Sequence, residues 1–182
     1  MAKLYLIRHG EAAGGWADDL DPGLSALGRE QAAKVAERFA SLPSLQLLSS
    51  PMRRTRETAE PLMAAWKIEP TIEPGVSEIP SPTEDLDERT KWLRAMMPGN
   101  WGGQDPSIQA WRANVVRALT DLPQDTVVFT HFIAINAAVG AATGSDKVTV
   151  FRPDNCSVTV LRSVADELQL LELGAEGETR VN

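Results

Sequence analysis

Lys3-Leu4-Tyr5-Leu6-Ile7 is a short apolar run of β-forming residues, and it stops abruptly at Arg8-His9-Gly10-Glu11. A run of this kind predicts a buried strand that delivers a functional turn. The same pattern recurs further along the chain. Residues 45–48 read as a second strand that ends in Ser49-Ser50-Pro51, and helical composition follows over 52–66. Residues 126–129 form a β-branched run leading into Thr130-His131, and helical composition resumes over 133–142.

Working outward, residues 14–23 are dense in turn formers and predict an exposed loop, after which Ser25 reads as a helix N-cap. From residue 26 to 41, Leu27, Val35 and Phe39 recur at helical spacing beside Ala32 and Ala36, the pattern of an amphipathic helix. Residues 71–76 suggest a short strand broken at Pro74, with Pro80 and Pro82 keeping the next segment irregular before a helix over 84–97. A loop over 98–106 precedes a helix whose face carries Ile108, Trp111, Val115, Leu119 and Leu122. Residues 157–161 and 168–173 read as two more strands, a hairpin, and 174–182 as a loose tail. Strands alternating with helices predict an α/β fold, a mostly parallel central sheet with helices on both faces. In such sheets the ligand sits at the C-terminal strand ends, where every chemically interesting residue of this chain falls.

With 182 residues the expectation is one domain spanning 1–182, because that length buries roughly two-thirds of its unfolded surface. A net charge of -7 offers no basic field for a phosphate backbone, so nucleic acid is not an expected partner. A small anionic ligand then requires local cations, which should be identifiable. No apolar run approaches bilayer-spanning length, and Arg8 comes too early for a signal-peptide core. The expected setting is cytoplasmic, with no membrane association. Cys156, the single cysteine, cannot form an intrachain disulfide and reads as a small buried side chain.

The chain has two histidines, His9 and His131, and each directly follows a strand-like run. A single histidine so placed is usually structural, but two at equivalent topological positions point to a site. Arg8 stands beside the first, and Gly10 lets backbone approach a ligand closely. Ser50-Pro51-Met52-Arg53-Arg54-Thr55-Arg56 adds three arginines at a helix start. Seen alone, such a cluster is a solvated face. At a strand end facing a histidine turn, it is a candidate anion clamp.

These residues carry a resemblance. Leu6-Ile7-Arg8-His9-Gly10-Glu11 is similar to the signature of the histidine phosphatase (phosphoglycerate mutase-like) superfamily. Asp21-Pro22-Gly23-Leu24-Ser25 with Gly28, Gln31 and Ala32 resembles the segment leading into its first helix. Ser50-Pro51, Arg54 and Thr58-Ala59 resemble its second arginine motif, Glu78 falls where an acidic residue is expected, and Thr130-His131 matches the second histidine. Asn155, Ser157 and Thr159 resemble the segment after it. An Arg-His-Gly alone is weak, but ordered matches across residues 4–161 are specific.

The resemblance implies a metal-independent phosphatase without cofactors. In it His9 attacks a phosphoryl group, Arg8, Arg54 and His131 clamp the phosphate, and Glu78 supplies the leaving group's proton. Elementary chemistry agrees, since a neutral imidazole is a competent nucleophile near neutrality and forked guanidiniums complement a phosphoryl group. Arg53 and Arg56 are read as pairing with carboxylates or facing solvent. The implied partner is a small anionic phosphorylated substrate, with oligomeric state left open.

The chain departs from the family pattern in three places. Ala12 replaces a frequent hydroxyl residue, Ile79-Pro80 replaces a glycine and tryptophan pattern after the acid, and Phe132 stands where glycine is common. Phe132 either caps the pocket or turns into the core. The segment 84–105 reads as a lid selecting the substrate's organic part; within it Trp92 reads as helix packing and Trp101 as the better substrate contact, with Trp16 a third tryptophan bordering the site. Competing readings are a protein-phosphohistidine phosphatase, a mutase, a non-catalytic phosphate-binding domain and a metallohydrolase. A mutase is disfavoured by the length of phosphoglycerate mutases, and a metal by the neighbouring arginines.

Overall fold

The computed structural model of the protein describes residues 1–14 and 19–177. In chain order its elements are β1 (Ala2–Arg8), α1 (Ala26–Ala40), β2 (Gln46–Ser49), α2 (Arg53–Trp66), β3 (Thr71–Ile72), α3 (Leu86–Met96), α4 (Pro106–Thr120), β4 (Thr126–Thr130), α5 (Phe132–Thr143), β5 (Val158–Val164) and β6 (Glu167–Glu172). The strands form one sheet in the order β3-β2-β4-β1-β5-β6. β1 to β4 run parallel, while β5 is antiparallel to both β1 and β6. The fold is α/β with a mostly parallel sheet, as the alternation of elements predicts.

Successive strand residues point to opposite faces, and each face has its own core. Leu4, Leu6 and Val128 join α3, α4 and α5 on one side through Leu93, Val115, Leu119 and Val139. Ile7, Val127 and Phe129 join α1 and α2 on the other through Val35, Phe39 and Leu62. From Phe132 to Gly140 every residue of α5 is buried, which explains a run that is apolar all round rather than amphipathic.

Register then sets the site. Arg8 pairs with Thr130 and Ser49 with Phe129, so β1, β2 and β4 end almost level. The residues that follow, His9, Ser50 and His131, meet at one edge.

Ser25 caps α1 as its chemistry predicts: its Oγ accepts from the Gly28 N–H at 3.0 Å and donates to Glu11 Oε1 at 2.7 Å. The buried stripe of α1 is Gly28, Ala32, Val35, Ala36 and Phe39. Leu27, expected in that stripe, is 48% exposed, because one residue of helix rotates it about 100° from Gly28. A Cβ on Gly10 would stand 2.6 Å from the Gly28 carbonyl oxygen, so the histidine turn and the start of α1 abut through backbone.

The third strand is only two residues long, and a 3-10 turn over Pro74–Val76 replaces its continuation. Asp85 caps α3 by accepting from the Glu88 N–H at 2.9 Å, which delays the helix start to Leu86. Trp92 packs against the core as read from its helical position. Trp101 does not meet the expectation of a substrate contact: at 1% exposure it is a core residue, with Arg112 over its ring at 5.3 Å. Its neighbouring glycines form a tight 3-10 turn that drives the indole inward rather than toward the cleft. Trp16 lies outside the described residues.

Residues 174–177 begin the segment read as a loose tail, yet they are tied to the chain by Asp154 N–H to the Ala175 carbonyl at 2.8 Å and Gly177 N–H to the Arg152 carbonyl at 3.1 Å. Among the described residues no helix is long and apolar enough to cross a membrane.

Candidate functional site

His9 is the first residue beyond β1, and its backbone N–H is held by the Thr130 carbonyl at 3.0 Å. Its Nδ1 lies 2.8 Å from the Gly10 carbonyl oxygen. A carbonyl can only accept, so this contact assigns the ring proton to Nδ1 and leaves the Nε2 lone pair free. Asn155 Nδ2 donates to the His9 carbonyl at 2.9 Å, and the Gly10 N–H donates to Thr58 Oγ1 at 3.0 Å. The turn is therefore fixed from both sides, by α2 and by the loop before β5.

His131 is fully buried and its ring centroid is 5.3 Å from that of His9. Its Nε2 is 2.8 Å from Ser50 Oγ, which also accepts from the Met52 N–H at 3.2 Å. A hydroxyl already accepting one bond has its own proton to give, and giving it to Nε2 puts the His131 proton on Nδ1. That Nδ1 is buried and meets no hydrogen-bond partner in the protein.

Arg8 and Arg54 are both buried beside these rings, at 8% and 4% exposure. Arg8 Nη1 donates to the Pro153 carbonyl at 2.9 Å, and its guanidinium lies 5.3 Å from the ring of Phe132. Phe132 is thus turned into the core, where it supports Arg8 instead of capping the pocket. Arg54 comes from the first turn of α2, within 3.8 Å of the half-exposed Asp21 carboxylate. Its neighbours in sequence do otherwise: Arg53 pairs with Glu57 at 2.7 Å, and Arg56 is exposed.

Glu78 reaches the same site from the segment after the 3-10 turn, which Thr130 Oγ1 ties to β4 through the Val76 carbonyl at 2.6 Å. Its carboxylate accepts from the Ile79 N–H at 3.0 Å and from the Ile133 N–H at 3.3 Å, the latter at the start of α5. Burial raises the Glu78 pKa above its ordinary value, outweighing those two bonds and the charges of Arg54 and Arg8, which pull it down. Burial also holds both histidines well below the usual imidazole range, and the two arginines push in the same direction. Arg8 is lowered by burial to about 10 and stays cationic at neutral pH.

These shifts make a stability prediction. The unfolded histidines take up protons as pH falls through about 6.5 while the folded ones do not, so their contribution is present above that pH and is lost toward acid. Glu78 has the opposite sign: its folded pKa is raised, so its contribution is lost as pH rises through that value. Two histidines outweigh one glutamate, and the thermal midpoint is expected to fall between about pH 7 and pH 5. In His131→Phe the midpoint should fall less over the same range, as differential scanning calorimetry would show.

All five residues singled out from sequence, Arg8, His9, Arg54, Glu78 and His131, come together. Ser50, Thr58 and Asn155 belong to the quoted motifs, but nothing in the sequence says that they orient the histidines. Cys156 is half-buried nearby, and burial pushes its thiol up to about 12. Among the described residues no group of three or more His, Cys, Asp or Glu is placed to hold a metal ion.

Comparison with known proteins gives this arrangement a context. The sequence model of the histidine phosphatase superfamily (branch 1) matches residues 4–176. A protein of Salmonella paratyphi C named "Probable phosphoglycerate mutase GpmB" is 31% identical over 182 positions, which cover 87% of this chain and 84% of that one. The crystal structure of phosphoglycerate mutase from Thermus thermophilus is 26% identical with a TM-score of 0.63, covering 96% of this chain and 99% of that one. Phosphoserine phosphatase from Entamoeba histolytica, 24% identical with a TM-score of 0.71 over 94% of this chain and 96% of its own, shares the fold.

Proposed function

The chain belongs to the histidine phosphatase superfamily, and from that premise we propose that it hydrolyses a small phosphomonoester through a phosphohistidine on His9. The observation that carries this reading is the 2.8 Å contact of His9 Nδ1 with the Gly10 carbonyl, which frees Nε2 beside two buried arginines. Burial and those arginines keep the imidazole neutral, the form that can attack phosphorus.

In the first step the N–P bond forms from Nε2 as the P–O bond to the alcohol breaks. Arg8, Arg54 and the Nδ1–H of His131 take up charge on the equatorial oxygens. Glu78, whose pKa burial raises, gives the proton to the departing oxygen. The ring of phospho-His9 is then cationic, and the Gly10 carbonyl accepts its Nδ1–H throughout. In the second step a water attacks phosphorus, its proton passes to Glu78, the N–P bond breaks and neutral His9 returns with release of inorganic phosphate.

The test is phosphate release from a panel of phosphomonoesters in the presence of EDTA, with His9→Ala as control. Turnover by the wild type and none by His9→Ala is the expected result. Full dependence on added metal, or equal turnover by both proteins, would sink the reading.

A mutase is the second reading, favoured by the name of the Salmonella relative. This chain aligns with 84% of that protein, so length does not separate the two readings. A mutase would pass the phosphoryl group from His9 to a bound alcohol, so isomerisation of a phosphoglycerate without phosphate release would decide for it.

A further inference from the structure

A cavity of about 610 Å³ lies between the end of α3 and the stretch that joins α5 to β5. None of Arg8, His9, Arg54, Glu78 and His131 lines it, so it is separate from the phosphate site. Backbone bonds fix its walls: the Val148 N–H donates to the Gly99 carbonyl at 3.0 Å, and the Gly177 N–H to the Arg152 carbonyl at 3.1 Å. Phe151, in the same wall, is held through its N–H by Asn136 Oδ1 at 3.1 Å.

The charges around this cavity run against those of the chain. Arg94, Lys147 and Arg152 line it with a single carboxylate, Glu176, whereas the whole chain carries a net charge of -7. Arg94 comes from α3 and the other two cations from the joining stretch, so the fold brings them together. Among the described residues neither Lys147 nor Arg152 has a carboxylate within ion-pair distance. Like charges gathered around a concavity repel one another, and an anion held between them relieves that repulsion. Thr149 adds a hydroxyl to the lining, and its Oγ1 is buried with no hydrogen-bond partner among the described residues.

Glu176 shows what these walls accept. Its carboxylate takes the Arg152 N–H at 2.9 Å, so the residues after β6 already bring one anionic group to the cations. The cavity has room for far more than one carboxylate, since sites for small molecules start at about 300 Å³.

We propose that this cavity binds a small organic polyanion, a tricarboxylate or a phosphorylated metabolite, held by Arg94, Lys147 and Arg152 in competition with the Glu176 carboxylate. Both chemistries offer several charged oxygen acceptors to guanidinium and ammonium donors. The site stands independently of the phosphatase reading, because no residue of the phosphate clamp takes part in it.

Calorimetric titration of the wild-type protein with citrate and with pyrophosphate tests this. At least one of the two is expected to bind. The double variant Lys147→Gln/Arg152→Gln should weaken that binding about tenfold or more, the scale of losing charged hydrogen bonds. Glu176→Gln should strengthen it about threefold, because a competing surface charge is gone. Binding of citrate alone assigns a carboxylate ligand, of pyrophosphate alone a phosphorylated one, and of both a site that reads charge. A gain in affinity cannot come from a damaged fold, so Glu176→Gln decides the matter even if the double variant melts early. The site is overturned if neither anion binds, if the double variant binds as tightly as the wild type, or if Glu176→Gln binds no more tightly. An anion seated in the phosphate clamp would ignore all three substitutions and so give one of these contradicting results.

Discussion

Arg54→Met is expected to lower kcat/KM toward any phosphomonoester by about a thousandfold or more, the scale of losing a guanidinium that meets transition-state charge. Three consequences of the geometry make this the most damaging single change outside His9. Arg54 is the guanidinium at the start of α2, and its 4% exposure means that no solvent cation can replace it. Its charge is the largest neighbouring charge holding down the pKa of His9, His131 and Glu78 alike. Removing it therefore blunts the clamp, allows His9 to be protonated at higher pH, and raises Glu78 further. The pH profile should move with the rate: the acid limb, set by protonation of His9, shifts toward neutrality. Arg54→Lys keeps charge but not the fork, and is expected to recover only part of the loss. Steady-state kinetics across pH on both variants checks this, and a profile that only scales down, with no shift, would remove the electrostatic part of the argument.

Glu78→Gln is the second large effect, and its size should depend on the leaving group. An alkoxide needs a proton as it departs, so alkyl phosphate turnover is expected to drop by about a hundredfold to ten-thousandfold. A nitrophenolate leaves without help, so phosphorylation of His9 survives while hydrolysis of phospho-His9, which uses Glu78 as base, becomes slow. Stopped-flow mixing with nitrophenyl phosphate should then show a burst of nitrophenol stoichiometric with enzyme, followed by a slow steady state. With an alkyl phosphate the burst should be absent. Equal losses on both substrates with no burst would mean that the carboxylate only caps α5 through the Ile133 N–H. Unchanged alkyl phosphate turnover would instead favour a protein-phosphohistidine phosphatase, whose phosphoramidate substrate expels its leaving group without an acid.

Much of this site is legible in the sequence because each of its main residues directly follows a strand or opens a helix. The runs before Arg8-His9 and before His131 are plain β-strands by composition, and the level register of β1 and β4 then forces the two histidines together. Arg54 is separated from Arg53 and Arg56 by helical phase, which turns one guanidinium inward and leaves Arg53 to an i,i+4 pair with Glu57.

What stays hidden depends on side-chain direction across elements. Ser50 is one hydroxyl among many in the chain, and only the 2.8 Å contact with His131 reveals that it orients a ring. Phe132 reads equally as pocket cap or core residue until α5 is placed against β1. Trp101 sits in a glycine-rich, polar-looking stretch that suggests exposure, yet the 3-10 turn folds its ring into the core. The burial of Arg89 comes from the packing of α3 rather than from any pattern in the sequence.

The most direct test of the central claim is to trap the intermediate. Glu78→Gln is mixed with an aryl phosphate carrying labelled phosphorus, quenched in alkali to protect a phosphoramidate, and digested for mass spectrometry. The label should sit on His9, stay stable to base, be released by acid, and be absent when His9→Ala is added. Label on His131 or on a carboxylate, or unlabelled protein that still releases phosphate at the wild-type rate, would contradict the account.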